Sequence, residues 1–92
     1  MTTRSVTVVN QLGLHARAAA RFVHLAARYR SQVRVARDTK VMDGKSIMGI
    51  LLLAAGKGTT ITISADGVDE RDAVEALAGL VASGFGEESC NG

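Results

Sequence analysis

The spacing of the apolar residues switches along this chain between two and about 3.6, and that alternation is the signature of a fold mixing strands with helices. Val6 and Val8 alternate with Ser5 and Thr7, giving a first strand β1 (Ser5 to Val8) with one buried face, closed off before Gly13. From Ala16 to about Tyr29 (α1) the apolar residues Ala19, Phe22, Val23, Ala26 and Ala27 follow a helical stripe, with Arg17, Arg21, His24 and Arg28 on the opposite face. Val33 and Val35 in Gln32 to Arg37 (β2), then Val41 in Lys40 to Met42 (β3), read as a hairpin turning at Asp38 and Thr39. Ser46 is the N-cap of a short helix (α2) that Gly56 or Gly58 ends. Ile61 and Ile63 alternate with Thr60, Thr62 and Ser64 in β4, and Asp66 and Gly67 turn the chain. The last helix, α3, takes Asp69 as N-cap, carries Glu70 and Asp72 in its first turn, packs through Ala73, Val74, Leu77, Leu80 and Val81, and stops at Gly84.

The order β-α-β-β-α-β-α is an α+β layout, helices on one face of a four-stranded sheet and a Thr/Ser face left to water. Strand order stays open at this point, since the ferredoxin-like fold shares the first six elements. Ninety-two residues, 47% apolar, suit one core, expected over 1–86 with a tail at 87–92. The charge of +2 is too mild for a nucleic-acid binder and suits an acidic protein partner equally well. A base-stacking RNA module is disfavoured because Phe22, Tyr29 and Phe85 all fall outside the strands. Cys90 stands alone, so no internal disulfide forms, and with His15 and His24 nine apart no metal site is expected. No apolar run nears the roughly 20 residues of a membrane span, so a cytoplasmic monomer without cofactor is expected.

His15, in Gly13-Leu14-His15-Ala16-Arg17, enters α1. Amides in a helix's first turn lack internal partners and attract anions, so Ala16 and Arg17 offer backbone donors to a phosphoryl group on His15. The Arg17 guanidinium adds charge-assisted hydrogen bonds to the same oxygens. A histidine here also serves as a plain cap, and spacing alone leaves both readings open.

Asn10 through Ala20, NQLGLHARAAA, resembles the phosphohistidine motif of the HPr family, and Gly44 through Leu53, GKSIMGILLL, resembles its regulatory-serine segment. ITISADGVDERDAVEAL, Ile61 to Leu77, is similar to the family's last strand and helix, so the likeness runs from Val6 to about Val81. It implies an open-faced β-sandwich, an antiparallel sheet in the order β1-β4-β2-β3 under three helices. It implies further that His15 takes a phosphoryl group on Nδ1 from Enzyme I and passes it to Enzyme IIA proteins with help from Arg17. Ser46 would be the target of an HPr kinase/phosphorylase. The chain would be a carrier, not a self-sufficient enzyme; the alternative is a regulatory homologue whose output is phosphorylation-dependent binding. Ala18 stands where many members have proline, and Leu12 where a small polar residue is common, which leaves backbone groups as the expected donors at His15. NxLGLHARAA and SGFGEE (Ser83 to Glu88) are similar to the nitrogen-related branch, NPr, whereas GKSIMG reads more like sugar-transport HPr.

Helix α2 is apolar nearly all round. Ile50 and Leu53 are expected in the core; Ile47, Met48 and Leu51, with Arg21 and His24 across from them, form the expected docking surface.

Overall fold

The computed structural model describes residues 1–86; the expected tail, with Cys90, lies outside the described residues. The elements are β1 Thr2–Thr7, α1 Ala16–Ala26, β2 Gln32–Arg37, β3 Lys40–Asp43, α2 Ile47–Leu52, β4 Thr60–Asp66 and α3 Glu70–Ala82, followed by a 3-10 turn at Gly84–Gly86. One antiparallel sheet has the order β1-β4-β2-β3. The shared ferredoxin-like order of elements is thereby settled in favour of the open-faced sandwich.

Period-two patterning sorts the two faces of the sheet. Val33, Val35, Ile61, Ile63 and Ala65 are buried beneath the helices. On the outer face the register sets Thr3 opposite Ser64, Ser5 opposite Thr62 and Thr7 opposite Thr60. Their hydroxyls pair at 3.2, 3.3 and 3.3 Å. A polar ladder of this kind keeps the sheet open to water on that side.

Several boundaries move. β1 starts at Thr2 and ends at Thr7, leaving Val8 just past the strand, where it is fully buried and still exchanges backbone bonds with Thr59 and Gly58. At one end of α1 Ala18 is buried; at the other the helix stops at Ala26, short of Tyr29, and Ala27 is exposed. The cause lies in the partners beyond it. Arg28 and Tyr29 bond back only three residues, Lys45 Nζ donates to the Tyr29 carbonyl at 2.7 Å, and Asp69 captures the next two amides. Neither Gly56 nor Gly58 ends α2, which has closed before Ala54 takes a left-handed φ of 52°.

Asp69 holds the N-cap position of α3 but makes no capping bond to its own helix. Its carboxylate instead accepts the Arg30 amide at 2.8 Å, the Ser31 amide at 2.9 Å and the Ser31 hydroxyl at 2.5 Å, tying the α1–β2 connection to α3. Those bonds, the Ser31 hydroxyl first, lower its pKa to about 2. Glu70 takes the Thr2 hydroxyl at 2.6 Å, the Gly67 amide at 3.3 Å and the N-terminal ammonium at 3.1 Å. The Thr2 bond leads in lowering its pKa, also to about 2.

The core gathers Phe22 of α1, Ile50 and Leu53 around α2, and Val74, Leu77 and Val81 of α3. Phe85, in the turn after α3 and at a φ of 61°, is fully buried among them. Burying such an aromatic contributes on the order of 2 to 3 kcal/mol. Nothing in the chain's periodicity marked it, because it follows the glycine that stops the helix.

Both depressed carboxyls contribute stability that is complete above their unfolded values, 3.8 and 4.5, and is lost as pH falls through about 2. The melting temperature should therefore decline between about pH 4.5 and 2, and Asp69→Asn should melt lower at neutral pH with a shallower acid decline. Parallel acid declines for both proteins, in melts followed by circular dichroism, would show that Asp69 is no such latch.

Candidate functional site

The site is built on a short loop between β1 and α1. Asn10 is buried; its Nδ2 donates to the Gly13 carbonyl at 2.7 Å, while the Gly13 amide donates to the Asn10 carbonyl at 3.1 Å. Gly13 sits at a φ of 64°, and a Cβ there would lie 2.5 Å from the Ala55 carbonyl oxygen and 2.7 Å from Gly56 Cα. Both the conformation and the contact demand glycine. Leu14 follows, its side chain in the core and its amide bonded to the Ala55 carbonyl at 2.9 Å. The residue before His15 is thus fixed to the segment leaving α2.

His15 takes the N-cap position of α1 with extended backbone (φ −75°, ψ 178°). Its carbonyl receives the Ala19 amide at 2.8 Å, and its ring makes no capping hydrogen bond. The amides of Ala16, Arg17 and Ala18 precede that first helical bond, and no acidic residue stands in the first turn. An anion held at this helix start would face open first-turn donors and the positive end of the helix dipole, with no acidic residue in that turn; His15 itself is half-buried. Arg17 is exposed, and among the described residues no hydrogen bond or ion pair holds its guanidinium. Leu12 is 70% exposed, so it contributes no polar group.

The other basic residues of α1 differ in their commitments. Arg21 is exposed but donates through Nη1 to the carbonyl of Phe85, anchoring the C-terminal turn. His24 is exposed in the last turn of the helix.

Ser46 caps α2, its hydroxyl accepting the Gly49 amide at 3.1 Å. Asp43 shapes the preceding turn, its side chain taking the Lys45 amide at 2.9 Å and its carbonyl the Ser46 amide at 3.2 Å. Gly44 packs so tightly on β2 that a Cβ would collide with the Val33 side chain. Ile50 and Leu53 are fully buried, while Ile47 and Met48 are exposed. Leu51 is half-buried against the core and Leu52 is exposed. With a helix this short, one residue of rotation decides which leucine meets solvent.

Sequence reasoning passed over Asn10, Ala55 and Phe85 as parts of this region. Asn10 carried one usable signal, a turn-forming residue three before a glycine. Ala55 acts through its backbone, which side-chain patterning does not report. Among the described residues no cluster of His, Cys, Asp and Glu could hold a metal ion, and no helix is long and apolar enough to cross a membrane.

Comparison with known proteins gives a consistent result. Residues 2–83 match the family described as "PTS HPr component phosphorylation site". The chain is 49% identical over 87 residues to the phosphocarrier protein HPr of Cupriavidus necator, covering 95% of this chain and 98% of that one. It is 43% identical over 81 residues to the HPr-like protein Crh of Halalkalibacterium halodurans, covering 88% and 96%. The crystal structure of HPr-C-His from Thermoanaerobacter tengcongensis superposes with a TM-score of 0.92 at 44% identity, covering 96% and 99%.

Two glycines separate the effect of the loop contact from that of glycine in general. Gly13→Ala should lose on the order of 2 kcal/mol or more, from its left-handed φ and the clash with Ala55. Gly79→Ala, in mid-helix with open space around it, should gain roughly 0.5 to 1 kcal/mol. Urea unfolding reads both, and a neutral Gly13→Ala would mean that the loop does not press on the end of α2.

Proposed function

The chain belongs to the HPr family of phosphotransferase-system phosphocarrier proteins, and from that premise we propose that it accepts a phosphoryl group on His15 from phospho-Enzyme I and delivers it to Enzyme IIA proteins. The observation that carries this reading is the placement of His15 at the N-cap of α1, before the open amides of Ala16, Arg17 and Ala18.

In the forward step the Nδ1 lone pair of His15 forms a bond to phosphorus while the bond from phosphorus to Enzyme I breaks, its electron pair leaving with Enzyme I. Delivery to Enzyme IIA is the same exchange with His15 as the leaving group. The Ala16 and Arg17 amides, with the Arg17 guanidinium, hold the transferred oxygens. A helix terminus at an exposed site contributes only about 0.3 to 1 kcal/mol, so the partner protein supplies most of the stabilisation during transfer. This suits a carrier, which must release its group as readily as it takes it.

Docking uses the surface beside His15: Arg17, Arg21 and His24 of α1 with Ile47, Met48 and Leu51 of α2. The protein acts as a cytoplasmic monomer. Ser46 serves as a brake where an HPr kinase/phosphorylase is present. Its cap position tolerates a phosphate, whereas the added charge beside exposed Ile47 and Met48 must be desolvated whenever a partner covers them.

Incubation with Enzyme I and phosphoenolpyruvate, followed by intact mass measurement, should add one acid-labile phosphoryl group to wild type and to His24→Ala and none to His15→Ala. Full labelling of His15→Ala would end the carrier reading. In the same assay Ser46→Asp should label more slowly with an unchanged melt, whereas equal rates would leave Ser46 as a helix cap alone.

A further inference from the structure

The end of α2 is held by a side chain from the far end of β2. Arg37 Nη1 donates to the Leu53 carbonyl at 2.8 Å and to the Ala54 carbonyl at 2.9 Å. Carbonyls at a helix C-terminus lack internal partners, and a guanidinium offers two donors in a fixed plane. The other charged neighbour of Arg37 explains little, since Asp38 is 85% exposed and its carboxylate stands 3.8 Å from Nε. Ala54, between the two anchored carbonyls and the next segment, sits at a φ of 52°, a conformation that alanine avoids. Something must hold it there, and Arg37 grips the carbonyl on each side of its α-carbon.

The next residue is Ala55, whose carbonyl takes the Leu14 amide and whose backbone presses on Gly13. A continuous path therefore runs from Arg37 through the turn Leu53 to Ala55 to the residue that precedes His15. We infer that Arg37 is a positioning residue for transfer at His15, acting by locking the left-handed turn on which the His15 loop rests. The inference depends on the reading of His15 as the phosphoryl acceptor. Among the described residues Arg37 hydrogen-bonds the Leu53 and Ala54 carbonyls and not the amides of Ala16 and Arg17, so its removal should lower the rate of the chemical step and leave partner affinity alone.

The test compares wild type, Arg37→Met, Ala54→Gly and the double variant Arg37→Met/Ala54→Gly. Glycine adopts the left-handed turn without strain, so it should hold the turn where Arg37 is missing. In Arg37→Met the Leu14 amide should exchange hydrogen faster, and kcat for phosphorylation by Enzyme I should fall roughly tenfold with KM unchanged, within the range that small misplacements of a reacting group produce. The double variant should recover most of both. Wild-type exchange and kcat in Arg37→Met, or losses that Ala54→Gly does not restore, would overturn the inference. Should Arg37→Met fail to fold, Arg37→Gln, whose shorter and uncharged side chain gives up the grip on the two carbonyls, is read by the same two measurements with the same expected losses. If wild type itself is never labelled, the carrier reading fails, while Leu14 exchange still decides whether Arg37 holds the loop.

Discussion

The hydrogen bond from the Leu14 amide to the Ala55 carbonyl joins the two parts of the molecule on which any chemistry at His15 depends. On one side of it stands the loop that enters α1; on the other, the turn that leaves α2. Gly13 makes the approach close enough for that bond, and the Asn10 amide clamps the loop from within. A histidine on an unsupported loop would sample many positions and would lose the entropic advantage of a fixed reacting group. Here its backbone is fixed before the helix begins, and the open amides of the first turn lie next to it.

The remainder of the fold serves this arrangement at a distance. The sheet buries one face under the helices and leaves its Thr/Ser face to water, so α1 and α2 are held side by side with their outer faces uncovered. Asp69 and Glu70 fasten the α1–β2 connection and the start of β1 to α3. Those two carboxylates fasten α3 in place, while the exposed apolar residues Ile47, Met48 and Leu52 lie on α2. A surface that must fit several partners gains from such adaptable side chains, methionine above all.

Most of the architecture could be read from the amino-acid order. Alternation in Thr60 to Ser64 and the helical stripe of Ala19, Phe22 and Ala26 are periodic signals that depend on burial, and burial is what the fold enforces. The strand order could not be read from periodicity, since period reports faces and not neighbours; it came from the family likeness and is the order observed. Errors fell where backbone and polar groups decide. Asp69 stands at the expected N-cap position of α3, yet its carboxylate captures amides of another segment and none of its own helix. α1 ends early because Lys45 and Asp69, distant in sequence, hold the Tyr29 carbonyl and the Arg30 and Ser31 amides just beyond it. At the site, His15, Arg17 and Ser46 were legible as a helix start, a neighbouring cation and a cap. Ala55 and Arg37 were not, because their roles are hydrogen bonds to main-chain atoms that no pattern of side chains records, and Asn10 shows only as a turn-former three residues before a glycine.

The central claim is that a phosphoryl group on His15 is received by the first-turn amides of a helix whose entry is already fixed. Amide proton shifts respond directly to a new anionic acceptor, so the most direct measurement is a pair of nitrogen–proton correlation spectra before and after phosphorylation by Enzyme I. Large downfield proton shifts are expected at Ala16 and Arg17, with Gly13, Leu14 and Ala55 nearly unmoved. Unmoved amides at Ala16 and Arg17, or large changes at Leu14 and Ala55, would contradict it.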